Sequence, residues 1–315
     1  MSSESSPKSN SKRTVLIVTG PTGSGKSSVA HQLAERHKLS IISADSRQVV
    51  RGFDIGSAKP SVEEQERYRY RMLDLINPGE RFSAFDFKEQ AEKEIRKSFV
   101  AGFTPVVCGG TGLYIRALTD GIVEIPSPDA ELRAKLASEA KELGAEGMHD
   151  RLRQIDPLEA ELIHPHNIIR VTRAIEMYYL TGKSKSELLH SQRHSDTPYN
   201  YRQLALTPEI SAVYQRINNR VDAMIEAGWL DELRELYEKF GEVALRRAKA
   251  IGYTELLDHL VNQQDLRVSV ELIKQNTRRF AKRQMTWLRG VEHIEFHTSS
   301  SELTKAAGRF FEPHE

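Results

Sequence analysis

Apolar residues fall along this chain in two alternating rhythms. Short runs rich in β-branched residues, Val15-Leu16-Ile17-Val18 and Ser40-Ile41-Ile42-Ser43, are bounded by turn-forming residues and predict buried strands. Between them the spacing is helical, and Lys26 to His37 is the first such stretch. Phe87 to Ala101 is a charged amphipathic helix that feeds a third strand, Pro105-Val106-Val107-Cys108. Gln203-Leu204-Ala205-Leu206 and Val291 to His297 predict two further strands. Strands alternating with helices argue for an α/β fold: a parallel sheet with helices on both faces.

Between about Asp120 and Tyr199 the strand pattern stops. Ser127-Pro128 has the cap-then-proline order that opens a helix, and helical spacing continues through Leu143, Leu152, Leu162 and Leu180. Residues 120–199 are therefore expected to form an all-helical insertion, with Ser191 to Asn200 as a polar return. Residues 14–119 and 200–315 are expected to form the α/β core and its helical C-terminal region. Residues 1–13 are rich in Ser and Lys, lack an apolar centre, and are expected to be a disordered tail rather than a signal peptide.

The sharpest local feature is Gly20-Pro21-Thr22-Gly23-Ser24-Gly25-Lys26-Ser27, placed between the first strand and the first helix. This is the phosphate-loop pattern in the context it needs. The glycines let backbone N–H groups curl around phosphate oxygens, and the helix adds its positive end. Lys26 would reach the outer phosphates, and the Ser27 hydroxyl would ligate Mg²⁺. The core is thus of the P-loop NTPase type, and its ligand is a di- or triphosphate.

Composition narrows the setting. The chain has 315 residues, a formal charge of +1 and one cysteine, Cys108. A near-neutral chain has no global field for nucleic acid, so any such surface must be local. One cysteine excludes an internal disulfide framework and any Cys-rich zinc site, and Cys108 itself reads as a small buried hydrophobe. No apolar run approaches the roughly 18 residues needed to span a bilayer. A cytoplasmic monomer without a membrane partner is expected.

Other residues carry candidate chemistry. Asp45 stands just past the second strand, at the carboxyl edge where ligands of open α/β sheets bind. It suits a general base or a metal-orienting group, or else a turn cap. Gly109-Gly110-Thr111-Gly112 ends the third strand, where many nucleotidases carry a magnesium-binding acid; here that acid is missing. Arg220 shares a helical stripe with Val213, Ile217 and Met224, and a guanidinium on an apolar face needs an anion or must snorkel. Arg216 lies at the edge of that stripe and reads as solvated. Asn276 to Gly290 holds Arg278, Arg279, Lys282, Arg283 and Arg289 without an acid, with Phe280 and Trp287 interleaved. That mixture suits looped RNA, although a helix with core aromatics and solvated charges looks the same. His164 to Arg173 carries histidines without a carboxylate or cysteine at ligand spacing, so capping or core roles are expected there.

Taken in order, these segments resemble the tRNA dimethylallyltransferase family. They are the phosphate loop, Asp45-Ser46-Arg47-Gln48, Asp54-Ile55-Gly56-Ser57-Ala58-Lys59-Pro60 and Gly109-Gly110-Thr111-Gly112-Leu113-Tyr114. Arg216-Ile217-Asn218-Asn219-Arg220, Ala250-Ile251-Gly252-Tyr253 and the run from Arg279 to Arg289 follow. The similarity spans Thr14 to Arg289, and a bacterial-type member, without the zinc-finger extension of eukaryotic ones, is expected.

The resemblance implies transfer of a dimethylallyl group from dimethylallyl diphosphate to N6 of the adenosine 3′ to a tRNA anticodon. No ATP is then consumed, which would account for the missing acid after the third strand. Residues Gly20 to Ser27 would bind the diphosphate, with Mg²⁺ on Ser27. Asp45, Thr111 and Arg220 would be catalytic, with Asp45 as the base on N6. The anticodon stem-loop would meet Asp45, Ser46, Arg47, Gln48 and Thr111, then Arg133 and the stretch His166, Asn167, Ile168, Ile169 and Arg170. Arg279 and Arg283 would neutralise its backbone.

Three positions depart from the family pattern: Val50 replaces a common Tyr, Tyr70-Arg71-Met72 replaces a double-histidine motif, and Asn167 replaces a common Asp. The competing readings are a small-molecule kinase, a prenyltransferase of free adenine nucleotides, and a non-catalytic RNA-binding protein. The kinase reading leaves the basic aromatic helix and the insertion unexplained. The RNA-facing segments argue against free nucleotides, and the intact Lys26, Ser27, Asp45, Thr111 and Arg220 set argues against a non-catalytic role.

Overall fold

The computed structural model describes residues 12–122, 124, 126, 129–192 and 197–312. The chain runs β1 (Thr14–Thr19), α1 (Lys26–Arg36), β2 (Leu39–Ser43), α2 (Val62–Arg67), α3 (Ala84–Val100), β3 (Thr104–Gly109) and α4 (Gly112–Thr119). Then come α5 (Ala130–Ile155), α6 (Pro157–Leu162), α7 (Ile168–Thr181), α8 (Lys185–Gln192) and β4 (Asn200–Leu206). It ends with α9 (Ile210–Glu226), α10 (Trp229–Ala248), α11 (Tyr253–Asn262), α12 (Leu266–Arg289), β5 (Ile294–His297) and α13 (Ser300–Gly308).

The five strands form one parallel sheet in the order β2-β3-β1-β4-β5. Central β1 pairs Leu16 with Val106 on one side and with Arg202 on the other. Both faces are covered, as the near-continuous apolar runs require. Alternation along β2 shows it: Ile41 packs with Ala30 of α1, whereas the Ser40 hydroxyl meets Ser98 of α3 at 2.6 Å. Leu16 and Val18 share a core with Val29 and Leu33 of α1 and Leu303 of α13. The last strand is shorter than its pattern suggested, since residues 291–293 form a turn before Ile294.

The chain divides into two compact units, one ending at Thr119 and resuming at Pro198, the other spanning Asp120–Thr197. The second unit is helical and closes its own core with Leu136, Met148, Leu152, Val171 and Ile175 from α5 and α7. Helix α5 starts at Ala130, where the Asp129 carboxylate accepts the N–H groups of Glu131 and Leu132. The expected cap at Ser127-Pro128 lies outside the described residues, as do residues 1–11 of the tail and residues 193–196 of the return. Among the described residues no helix is long and apolar enough to cross a membrane.

A second core in the first unit joins α9, α10, α11 and α12 to the segment after β2. Val50 is one of its buried members, which gives that departure from the family pattern a packing role. Trp229 fills the centre, so close to Gly252 that a Cβ there would stand 2.0 Å from its ring. The segment 54–59 is tied down from both sides. The Glu232 carboxylate accepts the Ile55 N–H at 2.6 Å and the Tyr253 hydroxyl at 2.6 Å. The Lys59 ammonium, with its side chain 2% exposed, meets the carboxylates of Asp54 and Asp74 at 2.6 and 2.5 Å.

Candidate active site

The loop between β1 and α1 closes through the Ser24 N–H to the Pro21 carbonyl at 3.1 Å. Helix α1 opens without a side-chain cap and without an acid in its first turn. Its first N–H groups are therefore left for a ligand, and the helix dipole makes that ligand an anion. Lys26 turns back over the loop, 3.3 Å from the Pro21 carbonyl. Burial lowers the Lys26 pKa below the ordinary lysine value, with Asp45 opposing and Arg220 adding to the effect.

Helix α9 brings the second cation. Val213, Ile217, Val221 and Met224 bury one face, and Arg220 emerges from that face to donate to the Thr22 hydroxyl at 2.6 Å. Burial lowers the Arg220 pKa, against the pull of Asp45. Its Nε is buried and lacks a hydrogen-bond partner among the described residues, as does the Ser24 hydroxyl. Buried donors of this kind normally find partners, and two beside one phosphate loop mark an anion site. Arg216 is exposed, as expected, and it also donates through Nε to the Gly23 carbonyl at 2.8 Å.

Opposite these cations stands Asp45. One carboxylate oxygen accepts the Arg47 N–H at 2.8 Å, so Asp45 shapes its own turn. Its side chain also lines the cavity, and the capping and functional readings therefore hold together. Thr111 locks the same turn: its N–H reaches the Ala44 carbonyl at 3.1 Å, and its hydroxyl accepts the Ser46 N–H at 3.0 Å. Arg47 crosses to the Ala248 carbonyl at 2.7 Å. Gln48 is engaged internally, accepting from the Ser43 hydroxyl at 2.8 Å and donating to the Ala58 carbonyl at 3.1 Å.

Two adjoining cavities share Thr22, Lys26, Asp45, Ser57 and Arg220 as a common wall. One, of about 410 Å³, borders the phosphate loop and includes Ser27, His31, Tyr70 and Arg216. Tyr70, where the family pattern has histidine, contacts His31 Nε2 at 2.7 Å, so an imidazole from α1 occupies this wall instead. The other cavity, of about 490 Å³, runs past Thr111 to Val221, Met224, Trp229, Phe280, Arg283 and Trp287. Phe280 and Trp287 thus present ring surface to a cavity rather than serving only as core. Arg283 lies over Phe280 at 5.8 Å, and Arg279 is exposed on the same helix.

The remaining candidates belong to the second unit. Arg133 binds the buried Glu176 carboxylate at 2.7 Å. Asn167 caps α7, and Ile168 packs against the unit's core. His166, Ile169 and Arg170 are exposed, so the histidine run is surface and not core.

Sequence reasoning missed Gln284. Its side chain is buried, accepts the Thr22 N–H at 2.8 Å and donates to the Gly110 carbonyl at 2.8 Å. The signal was present: a polar residue within the apolar stripe Ala281 and Leu288, the same sign that singled out Arg220.

Comparison with known proteins agrees with this geometry. Residues 48–291 match the family described as IPP transferase, and residues 13–78 match that described as isopentenyl transferase. The chain belongs to the IPP transferase family. It is 43% identical over 287 residues to the tRNA dimethylallyltransferase of Geobacter metallireducens, covering 91% of this chain and 93% of that one. The full-length tRNA isopentenylpyrophosphate transferase of Bacillus halodurans is 35% identical, with a TM-score of 0.68 and 95% of each chain covered. A eukaryotic dimethylallyltransferase acting on tRNA superposes with a TM-score of 0.76 at 27% identity, covering 95% of this chain and 77% of that one. The parallel sheet and C-terminal helices described above are thus those of the family.

If Arg220 and the uncapped loop form the anion site, Arg220→Gln should weaken binding of inorganic diphosphate by about 10- to 100-fold, as expected for a charged hydrogen bond. Isothermal calorimetry measures this, and an unchanged affinity would remove Arg220 from the site.

Proposed function

We propose that this IPP transferase family member moves a dimethylallyl group from dimethylallyl diphosphate to N6 of the adenosine 3′ to a tRNA anticodon. The coarser activity, dimethylallyl transfer to tRNA, is supported by family membership and by relatives aligned over nearly their whole length. The observation that carries the finer reading is the shared wall. The cavity beside the phosphate loop, where Lys26, Arg220 and the loop amides would seat a polyanion, lies on one side, and the aromatic, Arg283-lined cavity lies on the other, with Asp45 lining both.

The chemistry follows from that placement. The N6 lone pair of a looped-out adenosine attacks the allylic carbon, and a C–N bond forms. The carbon–oxygen bond to diphosphate breaks, and its electron pair leaves with the diphosphate. Lys26, Arg220 and the loop N–H groups stabilise the charge gained by the leaving oxygen. Asp45 takes the proton that N6 loses, its second carboxylate oxygen being free of the turn bond to Arg47. A base in an RNA loop reaches such a cavity more readily than a paired one, since little stacking is lost.

Magnesium fits this arrangement. Mg²⁺ binds through few protein oxygens together with substrate phosphates and water. The Ser27 hydroxyl and the Asp45 carboxylate line the phosphate-side cavity, and among the described residues no cluster of three or more His, Cys, Asp or Glu forms a separate cage. Ser27 would hold the ion, and the ion would neutralise diphosphate charge. Arg133, His166 and Arg170 of the second unit, with Arg279 and Arg283 of α12, would grip the stem-loop backbone, and the reaction would be cytoplasmic.

Asp45→Asn separates the roles. Transfer of labelled dimethylallyl to RNA should fall below detection while inorganic diphosphate affinity stays within about threefold; equal loss of both would make Asp45 structural. Arg279→Ala and Arg283→Ala should each lower the slope of log affinity against log salt for the stem-loop by about 0.7. Unchanged slopes would return both side chains to plain solvated charges.

A further inference from the structure

The basic helix α12 carries a buried amide that touches both halves of the site. From this we infer that Gln284 is a positioning residue, fixing the separation of the leaving-group side from the acceptor side. The inference rests on the proposed transfer reaction.

Its Oε1 accepts the Thr22 N–H and its Nε2 donates to the Gly110 carbonyl, each at 2.8 Å. One partner donates and the other accepts, so the orientation of the amide is set by the protein itself. The approach is close. A Cβ on Gly110 would stand 2.6 Å from Nε2, so the turn after β3 needs glycine there. Both polar ends of Gln284 are used within the protein, and it therefore acts through its neighbours.

Those neighbours stand beside the groups assigned to the reaction. Thr22 receives Arg220 on its hydroxyl at 2.6 Å. Gly110 precedes Thr111, whose hydroxyl holds the Ser46 N–H at 3.0 Å, next to Asp45. One side chain thus links the cation that faces the diphosphate to the turn that carries the base. The same helix turns Phe280, Arg283 and Trp287 into the acceptor cavity. RNA contacts on α12 and the phosphate loop are consequently parts of one rigid frame. Displacements of about 1 Å between reacting groups cost on the order of 100-fold in rate, so such a frame matters to kcat more than to binding.

The test uses the full-length enzyme, dimethylallyl diphosphate and an unmodified tRNA anticodon stem-loop. Gln284→Met and Gln284→Leu each keep most of the volume and remove both hydrogen bonds. In each variant kcat should fall about 100-fold. The KM for RNA and the calorimetric affinity for inorganic diphosphate should stay within about threefold of wild type. Two results would overturn the role: kcat retained within about threefold, or parallel loss of kcat, RNA KM and diphosphate affinity, which marks a general structural part. Should the wild type put no label on RNA, the underlying reading fails. Labelled RNA with fully active variants would sink only the positioning role.

Discussion

Much of this structure depends on the need to satisfy a guanidinium that the fold has buried. Arg220 leaves an apolar helix face, spends one nitrogen on Thr22 and leaves Nε without a partner among the described residues. Lys26 lies in the same enclosure, its charge disfavoured by burial. Two cations in low-dielectric surroundings are costly without an anion, and Asp45 is the one carboxylate lining both cavities. A bound diphosphate would offset that imbalance, so the leaving group of the proposed reaction would also be the counter-ion of these two cations.

The parallel sheet places these groups. Its carboxyl edge carries the phosphate loop after β1, Asp45 after β2 and Thr111 after β3, and backbone and side-chain bonds tie these turns together. Helices α9 and α12 then bring Arg220 and Gln284 across from the C-terminal core, whose packing around Trp229 also anchors the segment containing Ser57. Substrate-facing groups therefore come from parts of the chain that are far apart in sequence, and the two cores must form together for the site to exist.

That distance explains what the sequence revealed and what it concealed. All five strands, the phosphate loop and the placement of Asp45 and Thr111 were legible, because each depends on neighbours within a few residues. Arg220 was legible as a charge on an apolar stripe, but its target, Thr22, was not. Arg216 was legible as an exposed side chain, but its partner, a loop carbonyl 193 residues away, was not. Gln284 offered the same stripe signal and was passed over because uncharged amides on apolar faces are less conspicuous than arginines. Tyr70 broke the family pattern without revealing that His31, from another element, stands against it. The cap of α5 was not picked out by pattern: the Asp129 carboxylate, just ahead of Ala130, accepts two N–H groups at once.

The most direct measurement is transfer of labelled dimethylallyl diphosphate by the wild-type protein, with an unmodified tRNA anticodon stem-loop, AMP and an ATP-hydrolysis control run in parallel. The account predicts label on the adenosine next to the anticodon, none on AMP, and no ATP turnover. Label on AMP with none on RNA, or ATP hydrolysis without transfer, would contradict it.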